Sequence, residues 1–190
     1  MVGAPKLIIE PHADDAFLSL GSHIEKWNKE CPVEICTVYS GTRKRAVDAS
    51  AYATAVKAKH HTLGYIEGIE DFIPDISEDL YLELTTGKEV YLPLYLTHKE
   101  HEIVRDIFVN FHNKHKNCEL FFYLDQPYAL KQKNTDTINE YLQDYRLISY
   151  LVPNKRKLRH TPLFKDQSKF FYFEKGSIEK IIEMIFKKDN

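Results

Sequence analysis

Residues 6–39 read KLIIEPHADDAFLSLGSHIEKWNKECPVEICTVY, and this stretch decides the fold. Lys6 to Glu10 is a short apolar run ended by Pro11, the pattern of a buried strand. From Ala16 to about Asn28, the residues Phe17, Leu20, Ile24 and Trp27 recur at helical spacing, and Pro32 breaks that pattern. Val33 to Tyr39 (VEICTVY) is a second buried strand, stopped at Ser40-Gly41. An alanine-rich helix then runs from Val47 to Thr62 and closes at Gly64. Strand, helix, strand, helix implies parallel strands with helices laid over them, an α/β layered fold.

Further along, the pattern is less regular. Tyr65 to Gly87 is acidic and mixed, expected to be a loop with one short helix. Glu89 to Leu96 (EVYLPLYL) is strand-like, with Pro93 placing it at an end or an edge. Glu100 to Asn113 is helical by the spacing of Ile103, Val104, Ile107 and Phe108, and Cys118 to Leu124 (CELFFYL) is another buried strand. A helix near Thr137 to Leu147 and a closing helix near Ile178 to Phe186 complete the reading. With no repeat, low-complexity tract or linker in 190 residues, one domain spanning 1–190 is expected.

Composition excludes several classes. There are 26 basic and 28 acidic residues, and no tail carries an excess of either sign. The electrostatic footprint of a nucleic-acid binder is therefore missing. No run approaches the ~20 apolar residues of a membrane span, and Leu7 to Ile9 is too short for a signal-peptide core. Three irregularly spaced cysteines (Cys31, Cys36, Cys118) argue against a disulfide framework and for a reducing compartment, so a cytoplasmic protein is expected. The surplus is nine histidines.

Two loops carry chemistry. Pro11-His12-Ala13-Asp14-Asp15 lies between the first strand and its helix, where ligands gather in open α/β sheets. It lacks the glycines of a phosphate loop. One imidazole and two adjacent carboxylates suit a metal instead, one Asp as ligand and its neighbour as base; the alternative is a helix cap at Asp15. Thr97-His98-Lys99-Glu100-His101 follows a later strand and opens a helix. Among nine histidines a His-x-x-His spacing is weak evidence alone, and His112-Asn113-Lys114-His115 repeats it at the far end of the same helix. There, cationic side chains simply complement the helix dipole. His60 and His61, adjacent in the alanine-rich helix, read as structural or surface residues, as do His23 and His160.

Taken together, the ordered pair of motifs resembles the PIG-L/LmbE-like zinc N-deacetylases. That family carries a Pro/Ala-His-Pro-Asp-Asp loop after its first strand and a His-Pro-Asp-His segment after a later one. Leu92-Pro93-Leu94 is similar to its approach strand. Tyr123-Leu124-Asp125-Gln126-Pro127-Tyr128-Ala129 is similar to its Tyr-Glu-x-x-Pro-Tyr-Ala segment. The resemblance implies a three-layer αβα, Rossmann-like fold with a mostly parallel sheet. It implies Zn²⁺, with other divalent transition metals also accepted by such ligands, held by His12, Asp15 and His101. It further implies Asp14 as general base, His98 as donor at the developing oxyanion and Glu100 orienting a neighbouring histidine. The implied substrate is a small N-acylated, sugar-like molecule of N-acetylglucosamine type, with Asp125, Tyr128 and Arg43 as candidate contacts.

Departures from the pattern temper the substrate side. Ala13 stands for the usual proline, and Ala16-Phe17 follow the aspartates where a Glu is common. Tyr52 and Ala55 stand where the family carries an arginine and a glutamate, for which Arg43 or Arg45 could compensate. Competing readings are a non-catalytic metal- or sugar-binding relative and a metal-dependent hydrolase of another amide.

Overall fold

A computed structural model describes residues 3–40, 42–69, 72–94, 98–126, 142–152, 157–164 and 182–189. Seven strands form a single sheet: β1 (Lys6–His12), β2 (Val33–Tyr39), β3 (Lys59–Tyr65), β4 (Glu89–Pro93), β5 (Glu119–Tyr123), β6 (Tyr145–Leu151) and β7 (Glu183–Lys188), in the order β3-β2-β1-β4-β5-β7-β6. The first five run parallel, whereas β7 is antiparallel to both β5 and β6. Helices α1 (Asp15–Trp27), α2 (Arg43–Ala55), α3 (Glu78–Thr85) and α4 (Lys99–His115), with a 3₁₀ helix at Lys157–Phe164, cover the sheet. The expected three-layer, mostly parallel α/β architecture is what the chain adopts. Among the described residues, no helix is long and apolar enough to cross a membrane.

Two cores lie on opposite faces of the sheet. One joins α1, α2 and Phe164 to Ile8, Ile35, Tyr91 and Tyr123; the other joins α3 and α4 to Leu7, Ile9, Val90 and Phe122. Leu7, Ile8 and Ile9 are wholly buried, which is why a continuous apolar run, rather than an alternating one, marks this central strand. β1 pairs with β4 only from Lys6 to Ile8, whereas its pairing with β2 continues to His12. The strand therefore runs on through Pro11, beyond the last β4 pairing. The order reverses between β1 and β4, and a crevice opens there at the carboxyl ends, where open α/β sheets bind ligands.

Three expectations are corrected. The alanine-rich helix does not reach Thr62: it ends at Ala55, Lys57 takes a left-handed conformation (φ 61°), and Lys59–Tyr65 is strand β3. As an edge strand β3 is only half buried, so it carries no apolar run to announce it. His60 and His61 consequently sit on a strand. The closing helix is also wrong over Glu183–Phe186, which belongs to β7 with Ile185 and Phe186 buried on opposite faces. Short apolar runs do not distinguish helix from strand by period. Finally, Tyr145 to Leu147, read as a helix end, opens β6; residues 137–141 of that expected helix lie outside the described residues.

Candidate functional site

β1 delivers His12 and the first turn of α1 delivers Asp14 and Asp15. Asp14 occupies the N-cap position of α1 but its side chain makes no capping bond. Glu10 does this work from the strand, accepting the Ala16 N–H at 3.0 Å, which leaves the Asp14 carboxyl free of the capping role. The cap alternative at Asp15 is likewise not realised: Asp15 is the first helical residue, and its Oδ2 accepts the His12 N–H at 2.8 Å. Across the crevice, α4 starts at Lys99 with His98 as N-cap. One helical turn later, His101 is completely buried against β1.

Donor atoms of His12, Asp15 and His101 form a nearly equilateral triangle. His12 Nδ1 lies 3.2 Å from His101 Nε2. Asp15 Oδ2 is 3.5 Å from the former and 3.3 Å from the latter. Donors of a tetrahedral ion bound at about 2.0–2.1 Å stand about 3.3–3.4 Å apart, so the triangle has the dimensions of three ligands with a fourth position open. His12, His98 and His101 form a second, looser set whose donor atoms lie within 4.8 Å of one another. The two sets share two histidines, and the tighter one contains Asp15.

Outer nitrogens of both shared histidines meet carboxylates. His12 Nε2 is 2.6 Å from Glu100 Oε2, and His101 Nδ1 is 3.3 Å from Asp125 Oδ2. Such pairing fixes the tautomer and the ring plane of a metal-binding histidine. Glu100 thus reaches back across the crevice to the first motif, and its other oxygen accepts the Gly68 N–H at 2.7 Å. Gly68 has φ +77°, a conformation that suits glycine, so the loop after β3 is shaped to hold this carboxylate. Asp125, a candidate substrate contact by the resemblance, lies buried beside His101. Tyr128 lies outside the described residues, as does the side chain of Arg43.

Electrostatics agree with a site built for a cation. Glu10, Asp14, Asp15, Glu100 and Asp125 are all buried around the imidazoles. Burial and the neighbouring Asp15 charge push Asp14 up to about 6, partly offset by Arg45. Burial also drives Glu10 to about 8. Burial opposes protonation of His12 and His101, but the surrounding carboxylates outweigh it and lift them to about 9 and about 10. Asp15 is driven the other way: the two imidazoles overcome its burial and hold it far below the usual carboxylate range. His98, half-exposed at the mouth, is lowered to about 4 by burial and by its two cationic neighbours.

Sequence reading missed the supporting layer. Thr37 donates to Glu10, Tyr39 stacks on His12 at 5.9 Å, and Arg45 pairs with Glu67 beside Gly68. Only Arg45 had a signal, its place in the basic Ser-Gly-Thr-Arg-Lys-Arg loop.

The sequence matches no family model and no curated protein. Solved structures do match. The zinc-inhibited form of teicoplanin deacetylase Orf2 aligns with a TM-score of 0.74 at 15% identity, covering 98% of this chain and 99% of that one. The deacetylase–bog complex of the teicoplanin biosynthesis pathway gives 0.72 at 16% identity, with 98% and 99% covered. The A40926 pseudoaglycone deacetylase Dbv21 gives 0.67 at 19% identity, with 91% and 86% covered. At these identities the likeness establishes a shared fold over nearly the whole chain.

Proposed function

We propose that this protein is a zinc-dependent N-deacetylase acting on an amino sugar or another small sugar-bearing molecule. The observation that carries the reading is the His12–Asp15–His101 triangle at the switch point of the sheet, each imidazole backed by its own carboxylate. His12 Nδ1, Asp15 Oδ2 and His101 Nε2 would hold the ion, with Glu100 and Asp125 accepting the outer N–H groups. When bound, zinc would polarise the amide carbonyl and make water acidic enough to attack near neutral pH.

The chain's own residues do the rest. Asp14, adjacent to the ligand Asp15 and raised toward neutrality by burial, removes a proton from the attacking water. His98, half-exposed at the mouth, serves the amide oxygen as a hydrogen-bond donor. The sugar-bearing substrate class rests on the fold shared with deacetylases named for teicoplanin and A40926 pseudoaglycone. The near-balance of charge suits an uncharged ligand better than a polyanion.

The test is acetate release from N-acetylglucosamine-type substrates by zinc-loaded protein, measured beside bound metal. Turnover that Asp14→Asn abolishes while zinc stays bound supports the reading. A protein that binds no divalent metal, or whose His12→Ala variant keeps its metal, removes it.

A further inference from the structure

His23, on α1, plays no part in the site above, yet both its ring nitrogens are engaged. Nδ1 lies 3.1 Å from Oε2 of Glu183, at the start of β7, and Nε2 lies 3.2 Å from Oγ of Ser149 on β6. Glu183 is wholly buried and also accepts the backbone N–H groups of Ser22 at 2.9 Å and His23 at 3.1 Å. A carboxylate accepts only, so His23 Nδ1 carries the ring proton and Nε2 is left to accept from the Ser149 hydroxyl.

A β-bulge puts Ser149 there. β6 pairs Leu147 with Phe186 but Ser149 with Ile185, so β6 advances two residues while β7 advances one. Without the extra residue Ser149 would stand opposite Met184, on the face covered by α3 and α4. The bulge moves it to the face of Ile185 and Glu183, which α1 covers. Bulges re-aim side chains in this way beside active sites. Ser149 itself is half-exposed, and Ile148, beside it in the bulge, is exposed.

We propose that Ser149, His23 and Glu183 form a second, metal-independent nucleophilic centre that cleaves carboxylic esters. Nucleophile, base and orienting carboxylate lie within hydrogen-bond reach in the required order. Ser149 Oγ attacks the ester carbonyl as its proton passes to His23 Nε2. The bond to the alkoxy group breaks and His23 returns the proton to the departing alcohol. Water, deprotonated by the same nitrogen, then releases the carboxylate and restores the serine. Glu183 is a positioning residue that holds the ring.

The test treats the full chain with a fluorophosphonate probe and maps the product by peptide mass spectrometry. Expected is one adduct, at Ser149, formed as the P–F bond breaks, together with hydrolysis of p-nitrophenyl acetate. Ser149→Ala, at a half-exposed position, removes both the adduct and the ester hydrolysis. Glu183→Gln slows labelling about a hundredfold or more, by losing the tautomer that leaves Nε2 free to accept. Should that variant not fold, Ser149→Cys carries the same point: its thiol outreacts that of the unfolded chain toward iodoacetamide. Labelling persists in EDTA and in His101→Ala, so failure here is separable from failure of the deacetylase reading. Folded protein labelling no faster than heat-unfolded protein, an adduct elsewhere, or loss of reactivity with EDTA each overturns the proposal.

Discussion

Helix α4 carries the same spacing at both ends, His98-x-x-His101 and His112-x-x-His115, and the two pairs have different fates. At the first turn, His101 is buried against β1 and shares Asp15 with His12. At the last, His112 Nδ1 faces the Cys118 thiol at 3.5 Å and His115 pairs with Glu78 at 2.8 Å near the surface. Lys114 also reaches Glu78, so that end is a cationic helix terminus answered by an acid on α3. The difference teaches that spacing on one helix does not make a metal site. What sets the pairs apart is convergence with a second element, and of the two ends only the amino end of α4 faces the switch point.

The comparison can be broken first at its strong end. His101→Ala removes one corner of the donor triangle and leaves Asp15 and Asp125 facing each other without the imidazole. Bound zinc, read by mass spectrometry, is expected to fall to background and deacetylation with it. Asp14→Asn is expected to lower kcat about 10²–10⁴-fold with zinc retained, because it removes a base and no ligand. Glu100→Gln and Asp125→Asn act through the outer nitrogens, and each should weaken zinc about 10–100-fold in a competition titration with a chelator.

At the weak end of α4, His112→Ala and His115→Ala are expected to leave zinc content and turnover unchanged. Their cost in urea unfolding is about 1 kcal/mol or less, as surface polar contacts usually give. A loss of metal in either variant would erase the contrast between the two pairs.

The smallest effect concerns the other end of the sheet. Burial raises the Glu34 carboxyl, but hydrogen bonds from Lys88 and His61 outweigh it and hold it below its ordinary value of 4.5. A lowered carboxylate contributes stability that is fully present above that value and disappears as pH falls through the folded-state value. The stability gap between the native chain and Glu34→Gln should therefore be constant near neutrality and close in acid, a dependence visible in urea midpoints.

Legibility in the sequence tracked burial. β1 and β2 are central, parallel and apolar on both faces, so KLII and VEICTVY stood out as strands. β3 lies at an edge with half-wet faces, and its Lys59–Thr62 reads from sequence as the end of the preceding helix. β7 was mistaken for a helix because IIEMIF fits either period. In the candidate site, His12, Asp15 and His101 stand out in the sequence because each follows a strand within a compact motif. The partners of Glu100 and Asp125 do not, since each reaches across the crevice to a histidine outside its own strand or turn. Ser149 offered no signal at all, for its orientation depends on one extra residue in the pairing with β7.

By itself, then, the sequence determined the alternation of strand and helix at the amino end and the two motifs that end up at the carboxyl edge of the sheet. Those are local matters, governed by apolar periodicity and by which residue types follow a strand. Tertiary structure alone decided which acid serves which imidazole, and on which face Ser149 stands. The physical reason is that these depend on register and strand order, set by packing between segments distant in the chain.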